Sequence, residues 1–439
     1  MVFLVCPKCS DTFTRTDRYN SHMNRKTPCD KKKLTAPPPA VPLPLAGMKF
    51  IDLFCGIGGF HCALKELGGE CVLACDIDEN CRKVYEDNWG LKPVNDIKNL
   101  KSEDIPDFDI LCGGFPCQAF SHAGKQGGLE DTRGTLFREI ARILKDKQPK
   151  YYLLENVKNL RGHDGGKTIK IIYAALKEAG YTAYEEPICL SPHQLGVPQH
   201  RERVFLLGIR NDIAEGKEIK KFPALLKVPT DISSVLEPVD IKHPELEFSA
   251  SIKELLGAWE EFVQHFKEVG VKLPTFPLWT EFWVPDDAMK AEIKKMVSWK
   301  QEFIKKNHKF YDDHAGFLGP WLTSSRKLKD FYGAKSKFEW QCGVFKPEDS
   351  LSNLLFTFRP SGVRVKRSNY SPTLVAMAQI VNVGARGRKL SPREVCRLQS
   401  YPDTFKIPAA GIAYRQFGNS VNVKVIKRMA EFLVTEMLA

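Results

Sequence analysis

Between Met48 and about Arg210, apolar runs alternate with amphipathic stretches, and this alternation restricts the fold more than any other feature of the chain. "MKFIDLF", "ECVLACDID", "FDILCGGF", "YYLLENV" and "RVFLLGI" read as buried strands. "FHCALKELG", "ENCRKVYEDNW", "TLFREIARILKD" and "TIKIIYAALKEAG" read as amphipathic helices between them. Strand and helix in turn predict an α/β domain with a doubly wound, mostly parallel sheet.

The other regions differ in composition. With 439 residues there is room for two or three domains. Residues 1–33 are basic and 34–47 form a proline-rich linker. We divide the rest into a catalytic domain at 48–215, a substrate-facing region at 216–412 and a segment at 413–439 that packs back on the first domain. Residues 251–342 carry helical patterning and tryptophans but no motif. The net charge of +12 points to a polyanionic partner. Thirteen cysteines in apolar contexts suggest no disulfide framework, so an intracellular, reducing compartment is expected. No apolar run is long enough to span a bilayer, and the start lacks a signal-peptide pattern, so no membrane partner is expected.

"FIDLFCGIGGF" places Gly56, Gly58 and Gly59 between the first strand and its helix. Glycines there let backbone approach a ligand closely at a helix N-terminus, although a plain tight turn would read the same. Asp76 ends the second strand and Asp96 follows in "VNDI", where carboxylates accept hydrogen bonds from ribose hydroxyls. The spacing is not that of a dinucleotide fingerprint. A nucleoside with a free ribose and no phosphates, such as S-adenosylmethionine, fits better.

"GGFPCQAFS" then sets Cys117 behind Pro116, just beyond the strand that holds Cys112. An inert buried thiol suits Cys112 better than Cys117. Together with "FIDLFCGIGGF", "LLENV", "QHRERVFLLG", "RKLSPREVCRLQSYPDTF" and "QFGNSV", in this order, the turn resembles the DNA (cytosine-5) methyltransferases over roughly residues 48–210 and 355–430. The resemblance implies a Rossmann-like S-adenosylmethionine-dependent methyltransferase domain with a smaller target-recognition domain. It implies methylation at carbon 5 of a cytosine flipped out of double-stranded DNA at a specific sequence. Carbon 5 is a poor nucleophile, and a thiolate adding at carbon 6 makes the ring an enamine. The resemblance gives that role to Cys117. Glu155 of "ENV" would protonate ring nitrogen 3 and hold the exocyclic amine. Arg201 and Arg203 alternate, so on a strand both would face one side; by resemblance Arg203 contacts the base.

The same resemblance implies cofactor contacts from Phe54, Gly56, Ile57, Gly58, Gly59, Asp76, Ile77, Asp96, Ile97, Pro116, Leu136, Asn419 and Ser420. Relatives commonly carry Glu where Asp76 stands. The polar, glycine-rich stretch from Ser121 suits a loop that closes on DNA, with Ser121 as a contact. "FRPSGVRVKRSNYSPTLVAM" resembles the recognition segment before the Thr373–Leu374 pair, with Arg364, Lys366, Arg367 and Thr373 as candidate DNA contacts. A solvated basic face would look alike. A monomer is expected, with a cognate restriction endonuclease as a possible partner system. A tRNA methyltransferase of the same fold is the alternative within the class, although its expected Cys-Phe-Thr signature is absent. A dinucleotide-binding oxidoreductase does not explain the Pro-Cys turn, and a zinc-finger protein with an inactive methylase domain does not explain the complete catalytic set.

At the N-terminus, Cys6, Cys9 and His22, with Phe13 and Tyr19 between them, copy three ligands and both core positions of a two-cysteine, two-histidine zinc finger. Cys29 takes the fourth position after a longer gap. Zinc accepts this set, so a ββα finger holding a structural zinc is expected, with Arg15 and Arg18 placed to meet DNA. A tail of free thiols is the plainer alternative.

Overall fold

The computed structural model describes residues 4–5, 12–13, 16–24, 43–116, 135–375 and 379–438. At the N-terminus, β1 (Leu4–Val5) pairs antiparallel with β2 (Thr12–Phe13), and α1 (Thr16–Met23) follows. Cys6, Cys9, Arg15 and Cys29 lie outside the described residues, as do Cys117 and Ser121.

Each of the five apolar runs forms a strand. They give β3 (Lys49–Leu53), β4 (Glu70–Cys75), β5 (Ile110–Gly114), β6 (Tyr151–Val157) and, after the short β7 (Tyr181–Ala183) and β8 (Ile188–Leu190), β9 (Arg203–Arg210). The helices between them are α2 (Gly59–Glu66), α3 (Glu79–Trp89), α4 (Thr135–Lys147) and α5 (Lys167–Glu178), with α6 (Asn211–Ala214) after β9. The seven-stranded sheet runs β4-β3-β5-β6-β9-β7, with β8 also on β9. Both faces are covered, which is why the strands read as continuous apolar runs. Phe50 and Leu153 enter the core on one face; Ile51 and Leu154 enter the core on the other.

The mostly parallel sheet expected from the sequence needs a correction. Strands β4, β3, β5 and β6 are mutually parallel, but β9 runs antiparallel to β6, and β7 and β8 run antiparallel to β9. An apolar run has the same pattern in either direction, so it predicts burial and not polarity.

Beyond the first sheet come α7 (Ala250–Glu268), β10 (Leu278–Trp279), α8 (Asp287–Lys295), α9 (Ser298–Asp313), α10 (Ala315–Ser325) and β11 (Lys337–Trp340). Then follow β12 (Leu355–Arg359), β13 (Gly362–Lys366), β14 (Asn382–Val383) and β15 (Arg388–Lys389). These strands make a second sheet in the order β10-β11-β13-β12-β14-β15. Its core centres on Trp259, whose ring lies 4.6 Å from Phe338 and 5.1 Å from Trp321 while its Nε1 donates to Lys335 O. The tryptophans of residues 251–342 are thus largely scaffold.

The chain then returns to the first sheet through α11 (Pro392–Leu398), α12 (Ala410–Asn419) and α13 (Val423–Glu431). Val395, Phe417, Ile426 and Met429 join the core that contains Phe50 and Leu153, and Lys427 reaches Glu66 of α2 at 3.2 Å.

Candidate active site

The order β4-β3-β5 reverses at β3, and a crevice forms beyond the carboxyl ends of strands at such a switch point. A cavity of about 520 Å³ lies there, a size that suits a nucleoside-sized ligand.

Its floor is the turn after β3. Phe54 and Gly56 line the cavity and both adopt left-handed backbone, with φ of 57° and 53°. A phenylalanine held at positive φ carries strain that a packed surround must offset. Gly59 also lines the wall, but Ile57 and Gly58 do not. The Ile57 side chain belongs to the core, and its carbonyl accepts from Trp89 Nε1 at 3.1 Å. Gly58, at φ 88°, lies so close to the Trp89 ring that any Cβ would collide with it. These two shape the turn from behind.

Asp76 binds the turn to the end of β4. Its Oδ2 accepts from Gly56 N at 2.7 Å and its Oδ1 from Asp78 N at 2.8 Å. Burial pushes its carboxyl above the usual range, against these two donors. Arg82 Nη1 donates to the Asp76 and Ile77 carbonyls, fixing the same segment. Ile77 is an exposed part of the cavity wall, with Asp96 and the buried Ile97 beside it; the Asp96 carboxylate caps Lys98 N at 3.0 Å. Asn95, in the same "VNDI" stretch, is a lining residue that the sequence reading missed.

Pro116 and Leu136 close another side. From α12, Asn419 and Ser420 reach the cavity, and Ser420 Oγ bonds the buried Tyr401 hydroxyl at 2.7 Å. Arg415, at 3.3 Å from Asp78, ties α12 to the segment after β4.

Glu155 lies deeper, on β6. It pairs in register with Gly114 of β5, and the absence of a side chain at Gly114 leaves room for the carboxyl. Arg203 Nε approaches Glu155 Oε1 at 2.9 Å. Burial pushes the Glu155 carboxyl above its ordinary value, while Arg203 and Arg201 pull it down. Next to it, Asn156 Nδ2 donates to Phe115 O at 2.9 Å and so fixes the strand end that leads to Pro116. Asn156 was legible only as part of "ENV"; its amide is what the turn needs.

β9 begins at Arg203, so Arg201 stands on the lead-in and not on the strand as expected, although both line the cavity. The Arg201 guanidinium is buried and donates to the carbonyls of Leu374, Gly418 and Ser420 at 2.8–2.9 Å. It therefore joins the segment around Leu374 and α12 to the cavity. Burial, with Arg203 beside it, lowers its pKa to about 9, which leaves it charged at neutral pH. Cys112 donates its thiol to Ile51 O at 3.1 Å, and burial holds that thiol far above its ordinary pKa. It is an inert core residue.

The candidate DNA contacts have varied surroundings. Arg364 pairs with Glu339 and Arg367 with Asp349, both at 2.7 Å and both with buried carboxylates. Lys366 Nζ lies 4.2 Å over the Tyr370 ring, and Thr373 Oγ1 donates to His200 O at 2.8 Å. Among the described residues no cluster of three metal-ligating side chains occurs, and His22 stands on the last turn of α1.

Residues 48–435 match the model of the C-5 cytosine-specific DNA methylase family. This chain belongs to that family. It is 32% identical to the type II methyltransferase M.HhaI of Haemophilus parahaemolyticus over 88% of this chain and 94% of that protein. It is 31% identical to M.AluI of Cellulosimicrobium cellulans over 88% and 91% of the two chains. A DNA modification methyltransferase of an E. coli prophage shares the fold, with a TM-score of 0.53 at 19% identity over 88% of this chain and 98% of that one. The protein is thus a cytosine-5 DNA methyltransferase. No helix among its described residues is long and apolar enough to cross a membrane.

Proposed function

We propose that this methylase transfers the methyl group of S-adenosylmethionine to carbon 5 of a cytosine flipped out of double-stranded DNA, at one specific sequence, through a thioether between Cys117 and carbon 6. The observation that carries the reading is the Glu155–Arg203 pair, set beside the strand end that runs on to Pro116 and Cys117.

The cofactor fits the cavity. Phe54 and Leu136 offer apolar wall for an adenine, and the Asp76 carboxylate keeps lone pairs for ribose hydroxyls beyond its two backbone donors. Asn419 and Ser420 add polar groups at the other side. When bound, S-adenosylmethionine supplies an electrophilic methyl group. The chain's own residues prepare the base. The Cys117 thiolate adds to carbon 6, and Glu155 gives its proton to nitrogen 3, so that the ring becomes an enamine with electron density on carbon 5. The Glu155 carboxylate then remains paired with Arg203. After methylation, the carbon 5 proton passes to solvent water, the thiolate leaves carbon 6, and nitrogen 3 returns its proton to Glu155, which restores the aromatic ring. Arg203 keeps its Nη2 for the base carbonyl, whereas Arg201 already serves three backbone carbonyls and positions the wall.

Replacing Asp76 with alanine weakens S-adenosylmethionine binding by roughly 10- to 100-fold, the cost of a charged hydrogen bond. Calorimetric titration reads this directly; unchanged affinity removes Asp76 from the ribose site.

Residues 216–412 are the proposed target-recognition region, with the basic stretch 359–367 near the DNA. The "type II" names of M.HhaI and M.AluI support a role beside a restriction endonuclease. At the N-terminus, the ββα order and the Cys6, Cys9, His22, Cys29 donor set suit a structural zinc. Metal analysis should find one zinc per chain, lost on Cys9→Ser; a zinc-free native chain refutes the finger. The overall reading is tested by label transfer from S-adenosylmethionine. Duplex DNA should become labelled and bulk tRNA should not, and the reverse preference would favour the tRNA enzyme.

A further inference from the structure

Where the segment before β9 meets the chain around Ser371 stands a stack of rings that the chemistry above does not use. His193 and His200 lie 5.3 Å apart at an interplanar angle of 25°. Tyr370 stacks on His193 at 5.3 Å and lies tilted on His200 at 5.8 Å, under the Lys366 ammonium. The scaffold is fixed. His200 N donates to Ser371 O, Ser371 N to Pro198 O, and Thr373 Oγ1 to His200 O, each at 2.8 Å. His200 immediately precedes the cavity-lining Arg201, and Lys158 immediately follows the cavity-lining Val157. The strip is thus next in the chain to two residues of the cavity wall.

We propose that His193, His200 and Lys366 form a binding site for a backbone phosphate of the DNA duplex, and that the two imidazoles take up protons as the phosphate arrives. The inference rests on the reading of the protein as a DNA methylase. The ring faces are turned to one another, which leaves the nitrogen-bearing edges as the groups able to bind a ligand. Those edges, with an ammonium beside them, suit a phosphate oxygen.

The charged surroundings set the direction. His193 Nδ1 is 2.9 Å from Ser191 Oγ; His200, Lys366 and Glu202 are the charged or titratable groups that act on its ring. His200 faces Glu202 at 3.9 Å, with Lys366 and Lys158 acting against it, and Lys158 itself holds Glu202 at 2.8 Å. Burial, aided by the nearby cations and opposed by Glu202, holds both imidazoles below their ordinary range. Both are then mainly neutral in the free protein at neutral pH. A phosphate raises their pKa in the complex, so affinity is greatest below the free value and is lost as pH rises through the bound value.

The test is the dissociation constant of the full chain for a fluorescent duplex of mixed sequence, between pH 5.5 and 8.5 at fixed ionic strength. We expect wild-type affinity to rise as pH falls, by up to roughly tenfold per pH unit for each proton taken up. The His193→Gln, His200→Gln double variant should bind with an affinity that varies far less with pH. Titration in two buffers of different ionisation enthalpy should show proton uptake by the wild type and less by the variant. Circular dichroism and S-adenosylmethionine affinity verify that the variant is folded. A structural role alone, in which the stack only joins two chain segments, leaves the pH dependence equal in both proteins and overturns the proposal. A flat wild-type profile with firm DNA binding overturns it while leaving the methylase reading intact. No DNA binding at any pH overturns both.

Discussion

Replacing Cys117 with serine abolishes methyl transfer while leaving cofactor and DNA binding in place. A thiol near its ordinary pKa of about 8.5 provides some thiolate at neutral pH, whereas a serine hydroxyl provides almost no alkoxide. Cys55, Cys75 and Cys81 also line the cavity, but burial holds their thiols above the ordinary pKa, and Cys112 is buried in β5 with its thiol donating to Ile51 O, so none of the four offers a ready thiolate. The loss should be at least about 10⁴-fold in single-turnover rate, in keeping with the removal of other enzymatic nucleophiles. The measurement combines that rate with duplex affinity by fluorescence anisotropy. Full activity in the serine variant defeats the covalent route. Loss of binding along with rate shows instead that position 117 holds the turn together.

Glu155→Gln has the second-largest effect. Glutamine keeps the shape of the side chain but cannot give a carboxyl proton to ring nitrogen 3, and it leaves Arg203 without its charged partner. A fall of roughly 10²- to 10⁴-fold follows from the loss of a general acid. The pH profile adds a readout that misfolding does not imitate. Burial raises the Glu155 carboxyl, and the protonated form is the working one, so the wild-type rate falls as pH rises through the Glu155 pKa in the complex. The Cys117 thiolate grows with pH and gives the opposite limb. The variant should keep the rising limb and lose the falling one. An unchanged profile in the variant assigns the proton to another group.

The fold of the catalytic half was legible because strands covered on both faces leave a local record: runs such as "FIDLF" and "YYLLENV" need apolar residues at every position. Strand direction leaves no such record, and β9 accordingly ran opposite to expectation. Residues that line the cavity were legible where one short motif carries them, as with Gly56, Asp76 and Glu155. They were less so where the function depends on a distant partner. Arg364 and Arg367 read as free basic side chains, but Glu339 and Asp349, 25 and 18 residues away in sequence, neutralise them. Asn156 and Arg201 hold the site through backbone carbonyls, which no sequence pattern displays. The strip of His193, His200 and Tyr370 likewise arises where two segments about 170 residues apart meet, as the bridge between Gln199 and Ser371 records.

The central claim is that carbon 5 of cytosine in duplex DNA receives the methyl group at a defined sequence. The most direct test treats unmodified plasmid DNA with the protein and S-adenosylmethionine, then identifies the modified base and its position by nucleoside mass spectrometry and methylation sequencing. The account predicts 5-methylcytosine confined to one recurring sequence context. Methyl groups on adenine or on the exocyclic amine of cytosine, or 5-methylcytosine scattered without a common context, would contradict it.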